Sequence, residues 1–259
     1  MPYSVKSSIP VNQSRDLEKL VDLFAGNEWA VRYIRNHRFR CYDDVKNIIK
    51  LQNGSRVLNV GGAPYAFEVL GASSGLSITS LDLEPDRHSG VLEGLGISVI
   101  KADIEQKDKR NDINFSEYDV ISMCEVLEHM RIDLLGLFFD LKNSIREDCK
   151  IYLTTPNFYF ARSFFLCIFS RRSGPSLVKE WGKLSALGHM GHVREYSKRE
   201  LIELFEYAGF TVDLCLVRNR SSYVRMTPKW FLPTLIFSFL EKVFDLFGQE
   251  FVFVLRRKN

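Results

Sequence analysis

The fold this 259-residue sequence predicts is a mostly parallel α/β sheet behind an N-terminal helical extension. Three features predict it. From about residue 55 onward, short apolar runs of strand length alternate with amphipathic runs of helix length; the first of those strands runs into Gly61-Gly62; and an acid–histidine stretch, Glu125-Val126-Leu127-Glu128-His129, follows the apolar run at 118–123 directly. Strands that alternate with helices pair in parallel through right-handed crossovers. Open sheets of this kind hold their ligands at the carboxyl ends of the strands, where both the glycine pair and the acid–histidine stretch fall.

The elements follow in order. Leu17, Leu20, Val21 and Phe24 recur at helical spacing, with Gly26 as a stop. A second helical run, Trp29, Val31, Tyr33 and Ile34, leads into the basic stretch 35–40, and a third covers 42–51 and ends at the turn signal Asn53-Gly54. Residues 1–53 therefore read as a helical extension or cap, and 54–259 as the main domain. In that domain strands are expected at 56–60, 77–82, 97–101, 119–123 and 150–154, and helices around Ala66, Val69 and Leu70 and over 134–145. A helix at 197–208 opens with Ser197 and has Glu200 three residues on, the capping-box pattern, and Gly209 stops it. Residues 210–216 and 251–256 read as two closing strands around an aromatic insert at 217–250.

Composition removes several function classes. The formal charge of +3 is too small to imply nucleic acid, and the five cysteines are scattered with no CxxC spacing. That pattern argues against a disulfide framework or structural zinc and suits a reducing cytoplasm. The N-terminus has no uninterrupted apolar stretch of the secretory kind. The most apolar segments are broken by charge, at Arg162 within 158–169 and at Glu241, Lys242 and Asp245 within 230–247. Roughly 20 predominantly apolar residues are needed to span a bilayer.

Gly61-Gly62 lets backbone approach a ligand closely, and Asp82, about 20 residues on at the next strand's end, is placed to accept hydrogen bonds from ribose hydroxyls. A tight turn and a helix-capping Asp82 would leave the same trace. G-x-G-x-x-G and a Walker A lysine are both absent, so the ligand expected is nucleoside-like without a pyrophosphate. If a helix begins at Glu125, then Glu125, Glu128 and His129 share one helical face. Two carboxylates and an imidazole there suit acid–base work by Glu128 and His129, or a hard divalent cation. His37 and His88 read as surface or turn residues. Arg32, Arg35, His37, Arg38 and Arg40 form either a solvated helical face or an anion-facing lip.

The ordered set Val57-Leu58-Asn59-Val60-Gly61-Gly62, Leu81-Asp82, Lys101-Ala102-Asp103-Ile104, Tyr118-Asp119-Val120-Ile121, Cys124-Glu125-Val126-Leu127-Glu128-His129, Thr154-Thr155-Pro156-Asn157 and Gly191-His192-Val193-Arg194-Glu195-Tyr196-Ser197 resembles the motifs of class I S-adenosylmethionine-dependent methyltransferases, over roughly residues 55–216 and the last strand. The resemblance implies a Rossmann-like sheet of seven strands with the last one antiparallel, 210–216 and 251–256 being the sixth and seventh. It implies that Asn59, Gly61 and Gly62 lie against the methionine part of the cofactor. Asp82 would hold the ribose with Leu83 beside it, Asp103 and Ile104 would frame the adenine, and Cys124 and Glu125 would line the cofactor side of the substrate pocket. The chain departs from the family at Asn59, where an acid is usual, and at Tyr65, which replaces a third glycine and is expected to crowd the loop.

The ExxEH stretch followed by a later histidine is also similar to the divalent-metal site of small-RNA 3′-terminal 2′-O-methyltransferases, and its first half resembles ubiquinone-pathway O-methyltransferases. By that likeness Glu125, Glu128, His129 and His192 would hold magnesium, manganese or zinc, with His189 a competitor for the last position. In the other reading Glu128 and His129 only hydrogen-bond nearby loops. The Thr-Thr-Pro-Asn turn and the stretch His192-Val193-Arg194-Glu195-Tyr196 resemble polysaccharide-cluster methyltransferases, which points to a saccharide or other small-molecule hydroxyl. An RNA 3′ end and a catalytically silent binding protein are the alternatives. The aromatic segments 158–172 and 229–247 would roof the pocket, touch a membrane surface peripherally at the inner face, or form a homodimer contact.

Overall fold

The computed structural model describes residues 3–4, 9–51, 56–131, 133–170, 178, 191–219, 236–237, 239–241 and 243–258. The expected turn at Asn53-Gly54, and His189, Arg171, Arg172, Lys229 and Trp230, lie outside these residues.

Period-two alternation decides how the sheet is covered. In β2 (Arg56–Val60), Val57 packs into one apolar cluster and Leu58 into the other; Val120 and Ile121 of β5 (Val120–Cys124) divide in the same way. Successive side chains of a strand point to opposite faces, so a strand clothed on both sides must be apolar almost continuously. One face lies under α1 (Val11–Leu23), α2 (Glu28–Lys50) and α3 (Ala66–Ala72). The other lies under α6 (Leu134–Ser144) and α8 (Lys198–Tyr207), where Phe138, Phe205, Phe210 and Phe253 meet edge to face.

The remaining strands are β1 (Tyr3–Ser4), β3 (Ser77–Asp82), β4 (Ser98–Lys101), β6 (Lys150–Pro156), β7 (Phe210–Asn219) and β8 (Glu250–Arg257). The helices α4 (Ser89–Leu95), α5 (Lys107–Asn111) and α7 (Ala161–Ser170) complete the layers. The spatial order is β1-β7-β8-β6-β5-β2-β3-β4, with β8 antiparallel to both neighbours and every other pairing parallel. The expected seven-stranded sheet with an antiparallel last strand is thus present, and β1 adds an eighth, two-residue strand at the edge of β7.

Two helical expectations need correction or extension. The runs expected at 29–40 and 42–51 form one 23-residue helix, because no glycine or proline interrupts it. Asn27 caps that helix by accepting the Ala30 N–H. The aromatic run after β6 is helical over α7, where Phe164 and Phe165 stack toward Phe247. Among the described residues no helix is long and apolar enough to cross a membrane.

Candidate functional site

The loop from β2 to α3 needs glycine twice, for different reasons. Gly61 has φ +75°, which L side chains rarely adopt, and its N–H donates to the Leu81 carbonyl at 2.8 Å. Gly62 has no room: a Cβ there would stand 2.0 Å from Ser80 Oγ and 2.2 Å from Glu68 Oε1. Glu68 Oε1 accepts from Asn59 Nδ2 at 2.7 Å and Ser80 Oγ at 2.9 Å. Asn59 therefore uses its amide on Glu68. Burial, only partly offset by these two donors, pushes the Glu68 carboxyl up to about 7.

Tyr65 does not crowd the loop as expected. It has φ +62° just before α3, its ring is fully buried, and its hydroxyl donates to Asp82 Oδ2 at 3.2 Å. Burial, with the Asp82 charge beside it, pushes this hydroxyl above the ordinary phenol range. His88, expected at the surface or in a turn, stands edge-on to Tyr65 at 6.0 Å and to Phe24 at 5.2 Å. Burial lowers its pKa, against the pull of Asp82.

Asp82 and Asp103 end neighbouring strand tips, joined by the Ala102 N–H donating to the Asp82 carbonyl. Asp82 Oδ1 accepts from the Glu84 N–H, and Asp103 accepts from the Glu105 N–H and Gln106 Nε2. Ile104 is buried in the core, whereas Leu83 is exposed. Asp82 thus stands one strand over from the glycine loop.

A small cavity of about 30 Å³ beside the glycines is lined by Asn59, Gly61, Gly62 and Cys124 and, from α2, by Tyr33, Arg40 and Asp44. Arg32 and Arg35 are exposed, as a solvated face requires, but Arg40 is only 6% exposed. Its Nη2 donates to Tyr33 Oη at 2.7 Å, and its Nη1 lies 3.2 Å from Glu125 Oε2. Its Nε is buried with no hydrogen-bond partner among the described residues. The signal for Arg40 was present in the spacing: Tyr33, Arg40 and Asp44 fall at i, i+7 and i+11, on one helical face beside the apolar stripe Ile34, Cys41, Val45 and Ile48.

Glu125 is not on a helix with Glu128 and His129. β5 ends at Cys124, Glu125 takes φ +59°, and a three-residue 3-10 turn then covers Leu127–His129. A left-handed residue cannot itself be a turn of a right-handed helix, so Glu125 does not share a helical face with Glu128 and His129. The two carboxylates therefore diverge. Glu125 reaches Arg40 and accepts from Thr154 Oγ1 at 3.4 Å, while Glu128 enters a separate cluster.

In that cluster the Glu128 side chain is wholly buried. Oε2 accepts from Thr155 Oγ1 at 3.1 Å; Oε1 lies 3.9 Å from His129 Nε2 and has no hydrogen-bond partner among the described residues. The Glu128 carbonyl accepts from the N–H groups of Val193 and Arg194, tying the 3-10 turn to the His192 segment. The His129 and His192 rings stand 5.1 Å apart, and His192 Nδ1 is 2.8 Å from Glu195 Oε1. One ligand atom each from Glu128, His129 and His192 lies within 4.8 Å of the others, and Glu125 is not in the group. Burial, with the Glu125 charge adding to it and His192 opposing, pushes the Glu128 carboxyl up to about 8. Burial alone would lower His192, but Glu195 and Glu128 outweigh it and its pKa is raised.

The donor set fits a divalent cation: one carboxylate oxygen held by a hydroxyl, the other without a donor, and two imidazoles, of which one is oriented by a second carboxylate. The glycine loop, the strand-tip acids and the buried Arg40 likewise fit a nucleoside that carries a charged amino-acid end.

A family model described as "Methyltransferase domain" matches residues 33–214. Among solved structures the chain is similar to a SAM dependent methyltransferase from Archaeoglobus fulgidus, at 16% identity and TM-score 0.60, covering 89% of this chain and 100% of that one. It is similar to a chain in the complex between the Haloferax volcanii Trm112 methyltransferase activator and the putative methyltransferase, at 17% identity and TM-score 0.59, covering 93% and 98%. It is also similar to Burkholderia thailandensis 1,6-didemethyltoxoflavin-N1-methyltransferase with bound 1,6-didemethyltoxoflavin and S-adenosylhomocysteine, at 14% identity and TM-score 0.54, covering 100% and 94%. At these identities the likeness is one of fold. No curated protein matches the chain.

Proposed function

The chain belongs to the methyltransferase-domain family, and from that premise we propose that it methylates a hydroxyl of a saccharide or other small molecule, with S-adenosylmethionine as donor and a divalent cation at Glu128, His129 and His192. One observation carries the finer part of this reading. A buried carboxylate oxygen with no donor among the described residues faces His129, and His192 stands beside them, at the strand edge that also holds the glycine loop.

Bound S-adenosylmethionine supplies an electrophilic methyl; bound magnesium, manganese or zinc supplies positive charge that lowers the pKa of a hydroxyl near it. The chain's own residues do the rest. Gly61 and Gly62 keep the loop flat enough for backbone to lie against the donor. Asp82, steadied by Tyr65 and the Glu84 N–H, accepts hydrogen bonds from ribose hydroxyls, and Asp103 borders the adenine side. Glu195 orients the His192 ring, and Thr155 holds Glu128 at a fixed angle. His129 serves either as a cation ligand or, with no cation bound, as the base that takes the proton of the attacking hydroxyl, since its ordinary pKa lies near neutrality.

Both departures from the family pattern have structural partners, Asn59 on Glu68 and Tyr65 on Asp82. They therefore no longer argue for a silent scaffold. On the α2 face that carries Arg40, Trp29, Tyr33 and His37 stack at 5.3 and 4.4 Å between ring centroids. An aromatic wall of this kind suits the apolar face of a sugar ring, which favours the saccharide reading. The test is incubation of the full chain with labelled S-adenosylmethionine and candidate glycans, with and without a chelator, read by product mass. Methylated glycan that disappears with chelation supports the proposal. Product that persists unchanged under chelation removes the cation, and methylated amine in place of ether removes the oxygen target.

A further inference from the structure

A surface helix of a globular protein turns its apolar stripe toward the core and its charged residues toward solvent. The helical stretch that holds Ile236, Phe239, Glu241 and Val243 does the reverse. Ile236, Phe239 and Val243 fall at i, i+3 and i+7 on one face, and that face is exposed, whereas Glu241 is buried. The Glu241 carbonyl accepts from Asn219 Nδ2 at 2.7 Å, and its Oε2 accepts from Gln249 Nε2 at 3.1 Å. The inversion is thus anchored at the end of β7 and just before β8.

α7 stands against this stretch. Phe165 stacks on Phe237 at 5.5 Å and Phe164 lies 6.1 Å from Phe247, so the two aromatic segments make a small core of their own. Ile168, Ile236, Phe239, Val243, Phe244 and Leu246 are left outside it, each 44% to 62% exposed. So many large apolar side chains in water mark an interaction surface.

We propose that this face docks on an anionic lipid bilayer and lies in the headgroup layer. Among the described residues no helix is long and apolar enough to cross one.

Charge selects the occupant. Residues 158–183 and 220–240 carry eight lysines and arginines and one acid, Glu180, whereas the whole chain is only +3. These two segments are therefore +7 and the rest of the chain −4. Arg171 and Arg172 follow α7 directly in the chain, and Lys229 comes seven residues before Ile236. Aromatic and aliphatic side chains flanked by cations match the headgroup boundary, where apolar groups reach the acyl edge and cations meet phosphate. The acidic remainder is repelled by the same surface, so charge orients the molecule as well as holding it. A second copy would set +7 against +7. A nucleic-acid backbone would meet the cations but leave Ile236, Phe239 and Val243 in water.

The face is also linked to the candidate site. Asn157 Nδ2 donates to the Leu246 and Gly248 carbonyls at 2.8 Å, two residues after Thr155, which holds Glu128. Docking goes beyond the reaction proposed above and does not rest on it; either can fail alone.

The experiment is co-sedimentation of the full chain with vesicles of phosphatidylcholine alone and of phosphatidylcholine with about one-third phosphatidylglycerol. The wild type is expected to partition into the anionic vesicles about tenfold or more strongly than into the neutral ones, and less strongly as salt rises. Ile236→Ser with Phe239→Ser, both at exposed positions, should weaken that partition about tenfold or more. Arg171→Gln with Arg172→Gln should weaken it at low salt and flatten the salt dependence. If the serine pair lowers the melting temperature, Phe239→Ser alone decides by the same ratio. A wild-type chain that stays in the supernatant with anionic vesicles, or partition that the serine substitutions leave unchanged, overturns the proposal. So does a dimer in sedimentation velocity that the serine pair dissociates with no vesicle binding beside it, and so does an RNA mobility shift with none.

Discussion

Glu68 and Glu128 are both buried acids, pushed by burial to about 7 and about 8, yet they stand in different company. Glu68 meets two neutral donors, Asn59 and Ser80, that close the back of the glycine loop. Glu128 meets one hydroxyl and two imidazoles, one of them oriented by another carboxylate. Burial alone therefore does not distinguish a packing acid from a reactive one. The company each acid keeps does: Glu68 meets two neutral donors, whereas Glu128 faces a donor set that a cation would complete.

The largest expected effect falls on turnover. Glu128→Ala should lower kcat by about 100-fold or more, the scale on which positioned acid–base groups contribute, and should leave S-adenosylhomocysteine affinity within about twofold by calorimetry. Comparable turnover in the variant would place Glu128 with Glu68, as a packing acid.

Next comes pH-dependent stability. The folded-state pKa of Glu68 is raised from its ordinary 4.5 to about 7, so its contribution is full below about 4.5 and lost as pH rises through 7. Each tenfold change in proton affinity between the folded and unfolded chain is worth about 1.4 kcal/mol, so the loss is on the order of 3 kcal/mol. Urea unfolding at pH 5 and pH 8 should show the wild type losing that much more than Glu68→Gln. Equal losses in the two proteins would mean that Glu68 is not the group that titrates.

Gly62→Ala tests the same packing sterically. Its Cβ would fall between Ser80 Oγ and Glu68 Oε1 and force their 2.9 Å contact apart. A stability loss of about 1–3 kcal/mol by denaturant titration is expected, and a neutral substitution would show a looser loop than this one. The smallest effect concerns the segment behind His192. Ser197→Ala removes a capping box in which Ser197 Oγ accepts the Glu200 N–H and Glu200 returns to the Ser197 N–H. It should cost about 1 kcal/mol in thermal or urea unfolding with little change in turnover.

Local pattern was sufficient wherever burial is periodic or a cap is short. The strands at 56–60 and 77–82 lie where alternation and their bounding turns put them. Ser197 and Gly209 bound α8 because their chemistry acts within a few residues. The glycine pair and Asp82 were legible too, since a strand tip and its neighbour's tip are adjacent in any parallel sheet.

The sequence by itself thus determined the layered sheet, the strand edge that carries the candidate site and the residue types gathered there, while the antiparallel last strand came with the family resemblance. Only the tertiary structure decided how those residues divide. A left-handed residue at 125 sends one carboxylate toward α2 and leaves the next for the His192 segment, a choice that depends on Arg40 and Thr154, which are remote in sequence. Likewise spacing puts Arg40 beside the apolar stripe of its helix, but only helix packing sets it against the glycine loop. Hydrophobic periodicity is a local property of the chain, whereas the partner of a buried charge is set by which elements meet.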